Sequence, residues 1–385
     1  MTFKKIMGKL HLWLGLTSGL VVFIVAITGC IFVFQKEIQD LTQPYRFVKP
    51  SQQEFLLPSQ LRASAQKELP DKKITTVYYN KKDEAAIVVF FERDPLFYNF
   101  VYVNPYTAEV LHIKDMTTDF FTIIMHLHYR LLLPEEIGTT IVDYASLIFL
   151  IMMISGLYLW WPRNKNAKKQ RFKIRWNVRW KRKNYDLHNV FGFYMTWIAI
   201  FIVFTGLMWG FEWIADPIYS AVTGGKEIVE YYVPPSDTTK SKNNFELISA
   251  DKVWKKVVEE ETSAVVSGVF YPAKNNPAAA ITIYTNPDNV TFYKREFRHF
   301  DQYTLEELPA NHYWADYEKA NAGDMLERML YDIHIGAILG LPGKILAFFG
   351  SLVAASLPVT GFLIWLGRKK KKIKSVSIKK NVRTN

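Results

Sequence analysis

Four stretches of this chain contain no Asp, Glu, Lys or Arg over a length that can cross a lipid bilayer. They cover about residues 10–35, 144–161, 189–211 and 345–367. The hydrocarbon core of a bilayer takes about 20 helical residues, so each stretch predicts a membrane-spanning helix. The first stretch continues to Phe34 without a small-residue cleavage site, which favours a retained helix over a signal peptide. The sequence therefore predicts an α-helical bundle embedded in the lipid bilayer.

The basic residues predict the orientation of the four spans. The net charge of +12 is concentrated in the N-terminal segment, in residues 163–183 and in the C-terminal tail, each next to an apolar stretch. Four spans place these three segments on one side, and their excess of Lys and Arg identifies that side as the cytoplasm. Because the charge is not spread over a soluble surface, a nucleic-acid partner is excluded. Residues 36–139 and 214–340 are expected on the outer side.

The two halves of the chain repeat each other. The first and third spans each begin with a histidine that is followed, at equal intervals, by a glycine and by a Thr-Gly pair. These residues are His11, Gly15, Thr28 and Gly29 in the first half and His188, Gly192, Thr205 and Gly206 in the second. Before the second and fourth spans, His126 precedes Pro134 by the same interval at which His334 precedes Pro342. Matched intervals of this kind indicate an internal repeat.

The two outer segments have the same predicted order of secondary structure. A short helix, at residues 60–69 or 250–260, precedes three strands with the alternating apolar pattern of a half-buried sheet. The strands are expected at 74–79, 85–91 and 97–103, and again at 265–271, 279–285 and 290–297. A short amphipathic helix then leads into the next span. The predicted fold is a membrane α-helical bundle of four transmembrane helices, in two repeated halves, with two outer α+β domains.

Four histidines at equivalent places of the repeat suggest a cofactor. His11 and His188 start the first and third spans, and His126 and His334 precede the second and fourth. Two imidazole pairs, one near each membrane face, suit two six-coordinate b-type haems, with these histidines as ligands of the haem iron. His128 could replace His126 as the outer ligand. Zinc suits such pairs poorly, and interfacial histidines with no ligand role are the remaining alternative.

Further residues near these histidines could complete the haem sites. Gly15 and Gly192 follow their histidines by one helical turn and would leave flat space for a porphyrin. Arg130 at the outer pair, and Lys9 and Arg182 at the inner pair, could bind propionates. The other histidines in the outer segments, His112, His299 and His312, are expected on the surface.

The motifs around these histidines resemble those of the PepSY-associated transmembrane family. They are His11-x-Trp13-x-Gly15, His126-x-His128, Asp186-Leu187-His188, His334, and a hairpin at 102–110 that is similar to the end of a PepSY module. The hairpin has Ala108 where glycine is common. The resemblance covers nearly the whole chain and implies a bacterial inner-membrane protein with cytoplasmic termini and periplasmic PepSY-like domains. Family members include iron-regulated, haem-containing reductases of ferric siderophores.

The resemblance gives the expected domain boundaries. They are transmembrane helix 1 (1–35), PepSY-like domain 1 (36–117), an amphipathic helix with transmembrane helix 2 (118–162), a basic cytoplasmic loop (163–186), transmembrane helix 3 (187–213), PepSY-like domain 2 (214–321), an amphipathic helix with transmembrane helix 4 (322–367) and a basic tail (368–385).

The expected function follows from the haems and the resemblance together. Electrons would pass through the two haems to a periplasmic ferric siderophore or other ferric chelate, and Fe(II) would be released for iron acquisition. No nicotinamide or flavin motif is evident, so a cytoplasmic flavoprotein or quinol is the expected donor. No side chain is assigned a catalytic role. The alternative is a membrane-anchored PepSY protein that binds peptides or a protease and has no redox activity.

Overall fold

The chain folds into two compact units. The computed structural model describes residues 2–162, 168, 171–240, 247–273 and 275–381. The helical unit comprises Met1–Phe34, Ile124–Ala215 and Ile333–Asn385, and the sheet unit comprises Gln35–Ile123 and Asp216–Asp332. Each unit therefore draws on both halves of the sequence.

In the described part of the chain, four helices are long and apolar enough to cross a membrane. They are Phe3–Phe32, Glu135–Trp160, Trp180–Gly210 and Ala337–Arg368, and we call them the first to fourth spanning helices. The first and third spanning helices each pack against both the second and the fourth. A small apolar core, with Val22, Phe149 and Ala354 among its members, joins them. The prediction of four spanning helices is confirmed.

The sheet unit contains one eight-stranded antiparallel sheet. Its strands are β1 (Ile74–Tyr79), β2 (Ala86–Arg93), β3 (Leu96–Val103), β4 (Val110–Asp115), β5 (Val266–Phe270), β6 (Ala280–Asn286), β7 (Glu296–Asp301) and β8 (Glu307–Leu308). Their order is β4-β3-β2-β1-β5-β6-β7-β8. The prediction of two separate outer domains is therefore corrected, because β1 pairs with β5 and joins both segments in one sheet. Two separate sheets would leave β1 and β5 as unpaired edges.

Two helices cover one face of this sheet. They are Pro58–Glu68 and Leu247–Glu260, close to the predicted positions. Leu61 and Val257, one from each helix, are fully buried together with residues of β1, β2, β3, β5 and β6. Trp254 stacks on Tyr79 with ring centres 4.6 Å apart. The two halves thus share a single hydrophobic core.

One strand lies several residues from its predicted position. The pattern predicts a strand at 290–297, whereas β7 runs from Glu296 to Asp301. The Asp288 carboxylate accepts hydrogen bonds from the backbone N–H groups of Val290 and Thr291, which hold this segment in a turn. Asp332 accepts from the backbone N–H of Phe292 in the same way. Side-chain acceptors therefore bind backbone groups that a strand would need for pairing.

Two histidines of the sheet unit are buried rather than exposed. His299 and His312 are 1% and 3% exposed, and their Nε2 atoms lie 3.0 Å apart. The backbone N–H of Trp314 donates to His312 Nδ1, so the proton of His312 sits on Nε2 and points to His299. His299 then donates from Nδ1 to Thr282 Oγ1 at 2.8 Å. The prediction of surface positions is wrong for this pair, since the hydrogen bond between the two neutral rings allows both to be buried. The third histidine, His112, is exposed as predicted and stacks on Tyr45.

The buried pair predicts a loss of stability in acid. Burial lowers the pKa of His299 and His312 from 6.5 to about 4. Between these values the unfolded chain binds more protons than the folded chain, so the free energy of unfolding falls as the pH drops from about 6.5 to about 4. We expect a loss on the order of 1–3 kcal/mol for the pair, after allowing for solvent screening.

Unfolding of the detergent-solubilised chain, followed by circular dichroism, measures this loss. The variant His312→Gln should be less stable at neutral pH and should depend less on pH over this range. Equal slopes in the variant and the native chain would contradict the assignment.

Candidate functional site

Four histidines of the helical unit share one local arrangement. Each ring is half-buried, and its Nδ1 lies within 3.0 Å of a hydroxyl group on another helix. The pairs are His11 with Ser155 (2.9 Å), His188 with Thr360 (2.8 Å), His128 with Thr28 (3.0 Å) and His334 with Thr205 (2.9 Å). All four spanning helices provide one of these hydroxyl groups.

A second contact of each hydroxyl determines the direction of these hydrogen bonds. Thr28 donates its hydroxyl hydrogen to the carbonyl oxygen of Ile24 at 2.7 Å. The other three hydroxyl groups also donate to a backbone carbonyl three or four residues earlier. Since a hydroxyl has one hydrogen, each must accept from the histidine, which therefore carries its proton on Nδ1. In the neutral ring Nε2 then keeps a lone pair, and this is the form of histidine that binds metal.

A glycine follows each of these hydroxyl residues and lies against the imidazole. A Cβ added at the glycine would lie 3.3–3.6 Å from the Cε1 atom of the histidine at all four places. We call each hydroxyl residue with its glycine an imidazole seat. The seats are Ser155-Gly156 for His11, Thr360-Gly361 for His188, Thr28-Gly29 for His128 and Thr205-Gly206 for His334. The intervals identify the Thr-Gly pairs as markers of the repeat, but not as partners of histidines on other helices.

The outer histidines are His128 and His334, and His126 lies in a different environment. The ring centres of His128 and His334 are 6.1 Å apart. His126 instead accepts a hydrogen bond at Nδ1 from Arg130, one turn away on the same helix. The prediction that His126 corresponds to His334 is therefore corrected: His128 is the counterpart of His334. Arg130 also lies 3.9 Å from Glu135, and its guanidinium lies 5.6 Å from the centre of the Tyr129 ring.

Equal spacing to proline predicts that His126 corresponds to His334. This prediction is wrong because the helix that carries His128 and the helix that carries His334 end in different turns. After His128, the helix ends at Arg130, and Leu131 and Leu132 have φ angles of 55° and 59°. After His334, the turn uses Gly336 with φ 76° and a short 3₁₀ helix, Ala337–Leu339. Leucine rarely adopts positive φ, so the sequence around Leu131 and Leu132 does not predict the turn that follows His128. Equal intervals to proline therefore do not correspond to equal positions.

The inner histidines line one cavity between the four spanning helices. The cavity has a volume of about 380 Å³ and is bordered by both His11 and His188. Gly15 and Gly192 also border it, although a Cβ on Gly15 would lie only 2.8 Å from the Met152 side chain. The absence of a side chain at Gly15 thus also allows Met152 of the second spanning helix to pack closely against the first.

Basic side chains among the described residues line the same cavity. They are Lys4, Arg171 and Arg368, whereas the predicted Lys9 and Arg182 do not border it. Arg182 forms an ion pair with the buried Asp186 at 3.0 Å. The Arg171 guanidinium donates to the carbonyl groups of Leu159 and Trp160 at the end of the second spanning helix. The cavity is therefore mostly apolar, with cationic groups that suit an anionic substituent of a bound molecule.

Comparison with known proteins agrees with the predicted family. No curated protein matches the chain. Residues 9–368 match the family model described as the PepSY-associated TM region, which covers both units and all four seats. The chain is therefore a membrane protein that belongs to the PepSY-associated transmembrane family.

Proposed function

We propose that this protein carries two b-type haems and passes electrons across the bacterial inner membrane to a periplasmic ferric siderophore or other ferric chelate. Reduction to Fe(II) would release the iron for uptake, because hard oxygen ligands hold Fe(II) less tightly. The observation that carries the proposal is that four imidazoles each contact the hydroxyl group of a seat through Nδ1, which leaves Nε2 of a neutral ring able to bind a metal ion. Helix packing alone requires neither histidine nor a hydroxyl group at these places.

The inner site fits a haem in shape and in charge. His11 and His188 border the cavity, and the rest of its lining is mostly apolar. Lys4, Arg171 and Arg368 could neutralise two propionate groups through charge-assisted hydrogen bonds. These residues would hold the haem, and the inner hydroxyl groups of Ser155 and Thr360 would fix the ring orientations.

At the outer site, the distance between the two imidazole rings fits a metal ion bound between them. Two imidazoles on opposite sides of one metal ion have ring centres about 6 Å apart, from metal–nitrogen bonds of about 2 Å and about 1.1 Å from nitrogen to ring centre. His128 and His334 are separated by 6.1 Å. Their planes are 81° apart, which is compatible because each ring can rotate about its own bond to the metal. The separation of the outer pair therefore matches that of two imidazoles bound to one metal ion.

The ligand set favours electron transfer over oxygen chemistry. Two histidines would hold each haem, and a haem held in this way would supply one-electron transfer and would not bind oxygen. The seats raise the basicity of Nε2, because each Nδ1–H donates to a hydroxyl oxygen. The proposed donor is quinol or a cytoplasmic flavoprotein. The basic loop at 163–186, a candidate docking segment, lies partly outside the described residues.

An absorption spectrum of the detergent-purified protein tests the proposal. We expect low-spin b-type bands, two haems per chain, full reduction by dithionite and reoxidation by a ferric siderophore under anaerobic conditions. A matched preparation of a chain with all four seat histidines replaced should show none of these features. If the native chain binds no haem when haem supply is ample, the electron-transfer function is wrong, and a membrane-anchored peptide-binding protein becomes the leading alternative.

A further inference from the structure

The second spanning helix carries one carboxylate beyond its first turn, Asp143. Asp143 is half-buried and immediately precedes the uncharged stretch that begins at Tyr144. No hydrogen bond or ion pair joins it to another residue in the described part of the chain. A half-buried carboxylate at the edge of a membrane span is therefore a candidate functional group.

Asp143 lies one helical turn from the outer seat of His334. A Cβ added at Gly210 would lie 2.6 Å from both Cγ and Oδ1 of Asp143, so only glycine leaves room for this carboxyl group. Gly206 lies against His334 in the same way. Because Gly206 and Gly210 are four residues apart on the third spanning helix, they share one face. Asp143 and His334 therefore contact adjacent turns of that face, about 6 Å apart along the helix axis.

The other half of the bundle has apolar residues at the corresponding places. Phe348 stands as far before Thr360 as Asp143 stands before Ser155, and Val33 follows Gly29 as Gly210 follows Gly206. Phe348 packs against Phe34 with ring centres 5.6 Å apart, and Val33 is 5% exposed. An apolar contact thus suffices for packing here. The carboxylate and its glycine are thus a difference between the two halves that packing does not require.

We infer that Asp143 takes up a proton when the outer haem is reduced, an inference that rests on the proposed function. One electron from the quinol or flavoprotein donor converts Fe(III) to Fe(II). One proton from the aqueous phase outside converts the Asp143 carboxylate to the carboxylic acid. The added electron makes the nearby potential more negative, and in a medium of low dielectric constant this favours the protonated acid. The uptake keeps the net charge of the outer region constant.

Among the described residues, the other charged or titratable groups at this end of the bundle have no hydrogen bond or ion pair with Asp143. On its own helix these are Glu135 and Glu136, and on the preceding helix His126 and Arg130, which contact each other. Glu212 follows the third spanning helix and is exposed. On the fourth spanning helix, Lys344 lies over the Phe34 ring at 5.6 Å. The outer histidines donate from Nδ1 to their seats.

Redox titration at several pH values tests this inference. Over the pH range in which the oxidised protein holds the Asp143 carboxylate and the reduced protein holds the acid, the midpoint potential of the outer haem should fall as the pH rises. Full coupling changes the reduction equilibrium tenfold per pH unit, which equals about 59 mV for one electron. Asp143→Asn should remove most of this slope and leave the slope of the inner haem unchanged. Glu136→Gln, which removes an exposed carboxylate of the same helix, should keep it.

A second variant and the haem content separate the possible outcomes. Gly210→Ala keeps the Asp143 carboxyl group but displaces it, and should reduce the pH dependence of the outer midpoint potential. This variant provides the test if Asp143→Asn folds poorly. Equal slopes in the native chain and in a folded, haem-loaded Asp143→Asn or Gly210→Ala variant would overturn the role of Asp143 and leave the haem proposal intact. Absence of haem from the native chain would instead overturn the proposed function.

Discussion

Replacing His128 with leucine is expected to remove one of the two proposed haems, whereas the same replacement of His126 should leave both in place. His128 has the hydroxyl and glycine contacts that its three counterparts have, and its ring centre lies 6.1 Å from that of His334. His126 has its Nδ1 bound to Arg130 instead. Without His128, the outer iron would lose one axial nitrogen, and the remaining ligand would not hold a six-coordinate low-spin haem.

Haem content per chain and the reduced absorption spectrum measure this difference. We expect the His128→Leu chain to hold one haem with the inner site unchanged, and the His126→Leu chain to match the native protein. The two positions are two residues apart on one helix, so each variant controls for the effect of the other on folding. A result in which His126→Leu loses the haem and His128→Leu keeps it would restore the assignment drawn from the proline spacing.

The parts of the fold that the sequence predicts are those determined by neighbouring residues. An uncharged apolar stretch is sufficient for a spanning helix, so all four spans could be located. The alternation in Ile74–Tyr79 defines β1 with its observed ends. The pairing of β1 with β5 brings Val77 opposite Val269, and such a contact between distant segments leaves no local pattern. For this reason one sheet was predicted as two domains.

In the candidate site, too, the sequence predicts what a local pattern determines and does not predict contacts between distant segments. Repetition along the chain identifies His11, His188 and His334, because a pattern in sequence is sufficient for that step. The seats could not be predicted, since Ser155 and His11 belong to different helices and meet only in the folded bundle. The sequence does not single out Asp143, because its surroundings depend on Gly210, which lies opposite it on another helix.

The largest effect at the inner site is expected from replacing Gly361 with leucine. A Cβ at this position would lie 3.3 Å from Cε1 of His188, and the rest of a leucine side chain would occupy the volume of the ring. The imidazole would then leave Thr360, to which it now donates at 2.8 Å. Overpacking of this kind costs about 1–3 kcal/mol, and here the imidazole would relieve it by moving away from the site.

Gly367 provides the matched control, because it lies on the same helix and a Cβ there would meet no atom within 4 Å. The Gly361→Leu chain should therefore bind one haem, retain the outer redox component and lose the inner one, while the Gly367→Leu chain should bind two. Circular dichroism should show the same helix content in both. Two haems with native potentials in Gly361→Leu would mean that His188 does not depend on its seat, because a ligand held against Gly361 cannot share that space with leucine.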